Sequence, residues 1–189
     1  MEQERNAKVS LGFLYAPVTT LGYGKRVGIW VAGCNKNCAN CMTPDLRKFD
    51  YNYNQNEVIN YVGKKLSSGL DGITISGGEP FEQPKFLLAL IKEANKYTDD
   101  ILVYTGYTYE ELVAKDNEDV NSALRYIGIL VDGEYVDSLN DGLALRGSSN
   151  QRTIFLKENL KNKYINVLKD KRKTQMVTVC DQIFFIGIK

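Results

Sequence analysis

The feature that most constrains the fold is an alternation of short apolar runs with segments whose apolar residues recur at helical spacing. The run Arg26–Ala32 has the β-branched and aromatic content of a buried strand. Asn56–Ser67 then shows helical spacing, and Pro84, a residue favoured in the first turn, opens a second helical segment. Further strands are predicted at Gly72–Ser76, Ile101–Thr105, Ile127–Val131 and Arg152–Leu156. Strands that alternate with helices predict an α/β fold with a mainly parallel sheet.

The length of the chain limits how far such a sheet can close. A chain of 189 residues corresponds to a single domain, 1–189, whereas a complete eight-fold barrel takes about 250 residues. We therefore expect a partial, open barrel, followed by a C-terminal β-hairpin formed by Met176–Cys180 and Ile183–Ile188. Functional residues in such sheets collect at the carboxyl ends of the strands, so the loops after the strands are expected to share one site.

Three of the four cysteines lie in the loop after the first strand, as Cys34, Cys38 and Cys41. Cysteine thiolates hold iron–sulfur clusters, and three close thiolates can bind three irons of a 4Fe–4S cube. The fourth iron is then open to a substrate. A structural zinc site with Cys180 as the fourth ligand is an alternative, as is chance clustering. For Cys180 itself, an isolated buried thiol is the expected role.

The composition argues against several classes of protein. Histidine is absent, which excludes Ser-His-Asp and Cys-His catalysis and every histidine-containing zinc site. A net charge of +1 argues against a protein that coats nucleic acid or an anionic membrane. Lys157–Lys173 is rich in basic residues, which favours a solvated helix face over a docking surface for an acidic reductant. Met1–Ser10 has no apolar core of a secretory signal, so we expect a soluble, cytoplasmic protein.

A second motif, Ser76-Gly77-Gly78-Glu79-Pro80, follows the second predicted strand. Together, the C-x3-C-x2-C loop and this segment resemble the radical S-adenosylmethionine (AdoMet) superfamily. The resemblance implies a partial (β/α)6-type barrel, a 4Fe–4S cluster on the three cysteines, and AdoMet as a second cofactor. It also implies that Gly77, Gly78 and Glu79 meet the methionine end of AdoMet. Glycines let a backbone approach a ligand closely, and a carboxylate can accept hydrogen bonds from an ammonium group.

Further motifs resemble, in the same order, the activating proteins of anaerobic ribonucleotide reductase. These motifs are Gly22–Arg26, Tyr104–Tyr107, Val131–Gly133 and Arg146–Arg152. The resemblance covers a core of roughly residues 13–156 and leaves a C-terminal extension of about 157–189. It implies that AdoMet is cleaved reductively to methionine and a 5′-deoxyadenosyl radical. That radical takes a hydrogen from one glycine Cα of a partner, a glycyl-radical enzyme, and a flavodoxin or ferredoxin-type protein supplies the electron.

By position, the resemblance also places Asn40, Met42, Thr105, Asp132 and Arg152 near AdoMet. Each of the last three has a structural alternative. Asp132 could begin an Asp-Gly turn, Thr105 could pack at a strand end, and Arg152 could form an ion pair. No catalytic side chain is predicted, because the chemistry lies on the cluster-bound AdoMet.

The chain departs from the reductase activators at Met42-Thr43-Pro44, at Tyr23 between two glycines, and at Leu145 before the arginine motif. These differences leave the partner open. One alternative is a radical AdoMet enzyme that acts on a small molecule or a peptide, similar to 7-carboxy-7-deazaguanine synthase. Another is a non-catalytic zinc-binding module.

Overall fold

The computed structural model describes residues 7–188, which form ten strands and five α-helices. The strands are β1 Lys8–Val9, β2 Leu11–Val18, β3 Arg26–Val31, β4 Tyr53–Asn54, β5 Gly72–Gly77, β6 Ile101–Tyr104, β7 Ile129–Asp132, β8 Arg152–Phe155, β9 Gln175–Val179 and β10 Gln182–Ile186. The helices are α1 Gln55–Ser67, α2 Pro84–Ala94, α3 Tyr109–Ala114, α4 Glu118–Tyr126 and α5 Lys161–Lys169.

Six strands form the central sheet, in the order β2-β3-β5-β6-β7-β8. The four inner strands run parallel, and the edge strands β2 and β8 are antiparallel to their neighbours. This arrangement confirms the α/β class and the mainly parallel sheet. The carboxyl ends of the parallel strands meet at one edge, where Val31 of β3 lies opposite Gly77 of β5.

One face of the sheet packs against α1, α2 and α4. The buried side chains of this layer include Val62 of α1 and Leu90 of α2, which lie against Ile29, Ile75 and neighbouring strand residues. The predicted helices are confirmed at α1 and α2, whose apolar residues recur at the spacing of one buried helix face. A parallel sheet needs cover on both faces, so the opposite face must also be covered.

The C-terminal extension covers the opposite face. Tyr164 of α5 is fully buried in a cluster with strand residues such as Leu102 and Ile129. The predicted C-terminal hairpin is confirmed as the antiparallel pair β9–β10. Its Val177 and Ile186 pack near β2, and the sheet is thereby buried from both sides.

Cys180 is exposed, so the prediction of a buried thiol is wrong; it lies at the tight turn between β9 and β10, with a φ of 48°. The prediction made for Met1–Ser10 falls largely on residues 1–6, which lie outside the described part of the chain. Among the described helices, none has the length and apolar content needed to cross a bilayer.

Candidate functional site

The loops that follow the parallel strands converge at the carboxyl edge of the sheet. The cysteine loop, residues 32–43, follows β3 and carries Cys34, Cys38 and Cys41, all partly buried free thiols. Its amino-terminal part is fixed by the next turn, because Gly33 N donates to Leu46 O at 2.8 Å and Cys34 N donates to Arg47 O at 3.0 Å. The Arg47 guanidinium also donates to Cys38 O at 2.6 Å.

The donor set of this loop fits an iron–sulfur cluster, and two of its thiols favour the protonated form when no metal is bound. Burial raises the pKa of Cys34. Burial, followed by the nearby Glu134 carboxylate, raises the pKa of Cys38 to about 11. A bound cation lowers thiol pKa values, so thiolates form at this place when metal is bound. An all-cysteine donor set in one loop is the set that iron–sulfur clusters use.

Within residues 7–188, which the structure describes, no three Cys, Asp or Glu side chains lie close enough together to bind a single metal ion. In a cube, by contrast, each cysteine binds a different iron, so the three sulfur atoms need not share one coordination sphere.

The glycine loop, Gly77–Glu79, lies directly against the cysteine loop. Gly78 N donates to Val31 O at 2.7 Å, and Glu79 N donates to Gly33 O at 2.9 Å. A Cβ on Gly77 would lie 2.2 Å from Val31 O, and one on Gly78 would lie 2.4 Å from Gly33 O. Glycine is therefore required at position 77 for the close approach to the end of β3, and at position 78 for the contact with the cysteine loop. The sequence predicted a close approach to a ligand here, and the structure shows a close approach to the cysteine loop.

Glu79 joins the glycine loop to the loop after β6. The side chain is buried and accepts hydrogen bonds from Phe81 N at 3.0 Å, from the Thr105 hydroxyl at 2.9 Å and from Gly106 N at 2.8 Å. Burial raises the pKa of Glu79 to about 7. Thr105, which was placed near AdoMet by resemblance, is thus held by Glu79 at the strand end.

Asp132 and Arg152 form an ion pair at the ends of β7 and β8. The buried Asp132 carboxylate accepts from Arg152 Nε at 2.9 Å, from Arg152 Nη2 and from Tyr109 N at 2.7 Å. Arg152 also contacts Glu110 at 2.7 Å. The pKa of the Arg152 guanidinium is raised above its ordinary value, mainly by the hydrogen bonds to Asp132 and to a smaller extent by those to Glu110. Arg152 therefore adopts the ion-pair arrangement that the sequence left as its structural alternative. Its partner is Asp132, for which the sequence left an Asp-Gly turn as the alternative.

The arginine loop, residues 146–152, contacts the cysteine loop through Gly147 and Met42. The Gln151 side chain accepts from Gly147 N at 2.7 Å and donates to Gly133 O at 2.8 Å. A Cβ on Gly147 would lie 2.7 Å from Cε of Met42, so this glycine packs on the residue after Cys41. Asn40, at a φ of 56°, reaches Asp137 at 3.4 Å.

A cavity of about 380 Å³ adjoins the arginine loop. Its lining includes Arg146, Arg152 and Leu168, so it lies between this loop and the end of α5. The guanidinium of Arg146 faces Asp141 at 2.9 Å, which again is an ion pair within the chain.

Sequence reasoning therefore found the loops and their order but missed residues that hold them. Arg47 and Glu134 lie in polar segments without periodicity or motif, so no signal identified them. Gly33 could have been suspected, because a glycine directly before the first cysteine permits its φ of 95°.

Comparison with known proteins agrees with this geometry. A family described as a 4Fe–4S single cluster domain matches residues 20–154, which include the three cysteines and all the loops described above. This chain belongs to that family, within the radical AdoMet activating enzymes. The family match begins before β3 and ends in β8, so it excludes the C-terminal extension.

Three relatives carry activating-enzyme names. The anaerobic ribonucleoside-triphosphate reductase-activating protein of Enterobacteria phage T4 is 30% identical over 139 residues, 69% of this chain and 84% of that protein. The isethionate sulfite-lyase activating enzyme of Oleidesulfovibrio alaskensis is 36% identical over 138 residues, 68% of this chain but 40% of that enzyme. Its counterpart in Nitratidesulfovibrio vulgaris is 39% identical over 92 residues, 48% of this chain and 26% of that enzyme.

Proposed function

We propose that this chain cleaves AdoMet reductively and abstracts a hydrogen from a glycine Cα of a glycyl-radical enzyme. The observation that carries the proposal is the contact between the glycine loop and the cysteine loop, with Glu79 N 2.9 Å from Gly33 O. That contact supports the proposal because it brings Gly77–Glu79, which by resemblance would bind AdoMet, next to the loop that carries the three cysteines. The activating-enzyme relatives support the same class of reaction.

The roles of the residues follow from their positions. Cys34, Cys38 and Cys41 would hold a 4Fe–4S cluster as thiolates. When bound, the cluster supplies the electron that splits the AdoMet sulfonium bond. The backbone of Gly77 and Gly78 would line the methionine end of AdoMet. Glu79 has acceptor capacity beyond its three internal hydrogen bonds for an ammonium group.

The remaining predicted residues would hold the adenosine side of AdoMet and keep its surroundings fixed. Asn40 and Met42 flank Cys41 on the cysteine loop, and Thr105 is held by Glu79. Asp132 and Arg152 fix each other, so in this proposal they position β7 and β8 rather than contact AdoMet through a free charge.

We further propose that residues 1–189 act as one domain with the curvature of a partial (β/α)6 barrel. Such a sheet is open at one side, which admits a polypeptide loop to the cluster while the rest of the site excludes water. The enzyme would work in the cytoplasm, without nucleic acid or membrane as a partner. A flavodoxin or ferredoxin-type protein would supply electrons.

The partner enzyme we propose is an anaerobic ribonucleoside-triphosphate reductase, because the phage T4 relative is matched over 84% of its length. Isethionate sulfite-lyase is a second candidate, since two relatives are named as its activating enzymes. A small-molecule or peptide substrate is the alternative that remains if neither protein reacts.

Deuterium transfer tests the proposal. Cluster-loaded protein, AdoMet and a reductant are incubated anaerobically with each candidate partner, produced with α-deuterated glycine. We expect a carbon-centred radical on one partner by electron paramagnetic resonance, together with deuterium in the 5′-deoxyadenosine. AdoMet cleavage without deuterium transfer from either partner would contradict the proposed substrate and favour the small-molecule or peptide alternative.

A further inference from the structure

Arg172 connects the C-terminal extension to the functional site. Four of the six other basic residues in Lys157–Lys173 form ion pairs with carboxylates; these pairs are Lys157–Asp99, Lys161–Glu158, Lys163–Asp100 and Lys173–Asp170. The Arg172 guanidinium donates to main-chain carbonyls before and within the arginine loop. Arg172 therefore joins this stretch to the arginine loop.

The Arg172 guanidinium acts as a fork for backbone carbonyls. Its Nη2 donates to Arg146 O at 2.8 Å and to Gly147 O at 2.7 Å, and its Nε donates to Leu143 O at 3.2 Å. Nη1 donates to the Asn140 side chain at 2.9 Å. A planar guanidinium can satisfy several acceptors at once in a fixed geometry, which a lysine ammonium on a flexible stem cannot reproduce.

The backbone around Arg172 reinforces this contact. Arg172 N donates to Gly142 O at 3.1 Å, and Ala144 N donates to Asp170 O at 3.0 Å. Leu143 and Lys171 form a β-bridge between the same two segments. The position of the guanidinium is thus set by main-chain pairing rather than by the flexibility of a surface side chain.

Gly147 lies between Arg172 and the cysteine loop. Its carbonyl is held by Arg172, and its amide donates to the Gln151 side chain at 2.7 Å. On the other side it packs on the tip of the Met42 side chain, because a Cβ on Gly147 would lie 2.7 Å from Met42 Cε. Met42 directly follows Cys41. A shift of Gly147 would therefore disturb the packing of the Met42 side chain, one residue after Cys41.

We propose that Arg172 is a positioning residue, which fixes the arginine loop against Met42 and makes the C-terminal extension a working part of the site. The part of this inference that concerns AdoMet rests on the proposed function. The part that concerns the loop does not, because it depends on contacts within the chain.

Trypsin tests the loop directly in the cluster-free protein. In Arg172→Gln, cleavage of the Arg146–Gly147 bond should be about tenfold faster, because proteolysis tracks how often a segment opens. Cleavage after Lys92, in α2, should stay at the wild-type rate and thereby report an intact core. Arg172→Lys should give an intermediate rate, since a lysine ammonium keeps the charge but cannot donate to several carbonyls in one fixed plane.

Lys173→Gln is the matched control, because its ammonium lies 2.7 Å from Asp170 in the same segment. This variant should cleave at Arg146–Gly147 like the wild type. Equal cleavage of that bond in Arg172→Gln and wild type would overturn the inference. An equal acceleration in Lys173→Gln would also overturn it, because the faster cleavage would then come from the loss of a positive charge and not from the loss of the guanidinium hydrogen bonds.

Equilibrium dialysis of AdoMet with the oxidised, cluster-loaded enzyme tests the effect on the site without turnover. We expect the dissociation constant to rise about tenfold in Arg172→Gln and to stay unchanged in Lys173→Gln. A faster tryptic cleavage with unchanged AdoMet affinity would overturn the positioning role. If the wild type binds no AdoMet, the proposed function fails, and trypsin alone then decides whether Arg172 fixes the loop.

Discussion

Glu79 and Asp132 are both buried carboxylates at strand ends, but their partners differ. Glu79 is surrounded by neutral donors, two amides and a hydroxyl, and its pKa is raised to about 7 by burial. Asp132 faces a guanidinium and one amide. The two groups therefore respond to different changes, Glu79 to pH and Asp132 to the loss of Arg152.

The raised pKa of Glu79 predicts a pH-dependent stability. The folded chain holds the proton more tightly than the unfolded chain, because the pKa is about 7 when folded and 4.5 as the ordinary value. This stabilisation is fully present below pH 4.5 and is lost as the pH rises through 7. The free energy of unfolding of the cluster-free protein should fall by about 3 kcal/mol over that range.

Urea denaturation at a series of pH values measures this effect. Glu79→Gln lacks the titrating group, so the dependence between pH 4.5 and 7 should become much flatter. An unchanged slope in Glu79→Gln would show that another group causes it.

The pair at the ends of β7 and β8 predicts an asymmetry between two substitutions. Arg152→Ala leaves the Asp132 carboxylate buried without its guanidinium, and should destabilise the chain by about 2 kcal/mol, reduced because Arg152 is itself half-exposed. Glu110→Ala removes an exposed partner of the same arginine and should have no measurable effect. Chemical denaturation checks both variants, and equal losses would contradict the central role of the buried carboxylate.

At the scale of elements, the contact between the glycine loop and the cysteine loop makes the sharpest prediction. Gly78→Ala would place a Cβ 2.4 Å from Gly33 O and push the two loops apart. In Gly106→Ala the nearest atoms lie at 3.6 Å, an ordinary contact, so this variant is the matched control. After anaerobic reconstitution, we expect Gly78→Ala to retain less than about half of the wild-type iron and sulfide, with Gly106→Ala unaffected. Full iron content in Gly78→Ala would contradict this account.

The sequence predicted the elements that carry a strong pattern. The four parallel strands were found within about two residues, because each is a compact apolar run buried on both faces. Strand β2 was missed, since Leu11–Val18 is only partly buried and contains a proline. Helix α4 was missed because it buries only Val120, Ala123 and Leu124.

Strand direction and side-chain partners could not be predicted from periodicity. The segment between β7 and β8 contains a short 3-10 turn, Asp137–Leu139, and no crossover helix, so β8 returns antiparallel. Likewise, the motif Arg146–Arg152 indicated two guanidinium groups, but only the fold shows that Asp141 and Asp132 face them. Asp132 lies 20 residues before Arg152 and Asp141 lies five residues before Arg146, and neither spacing belongs to a helix or strand period that would have marked the pair.

At the scale of the whole molecule, the C-terminal extension is part of the core even though the family match ends at residue 154. Tyr164 donates to the buried Asp100 at 2.6 Å, and Arg26 pairs with the same carboxylate at 2.8 Å. This network fastens the extension to the amino-terminal ends of the strands, opposite the cysteines. The extension thus supports the sheet at one end and, through Arg172, the arginine loop at the other.

The most direct test of the central claim is the formation of 5′-deoxyadenosine by the anaerobically reconstituted protein with AdoMet and dithionite, measured by chromatography. We expect product from the wild type and none from Cys34→Ala, Cys38→Ala or Cys41→Ala. Cys180→Ala should behave like the wild type, because this thiol is exposed at a hairpin turn. Product that persists in Cys38→Ala, or its complete loss in Cys180→Ala, would contradict a cluster held by the cysteine loop.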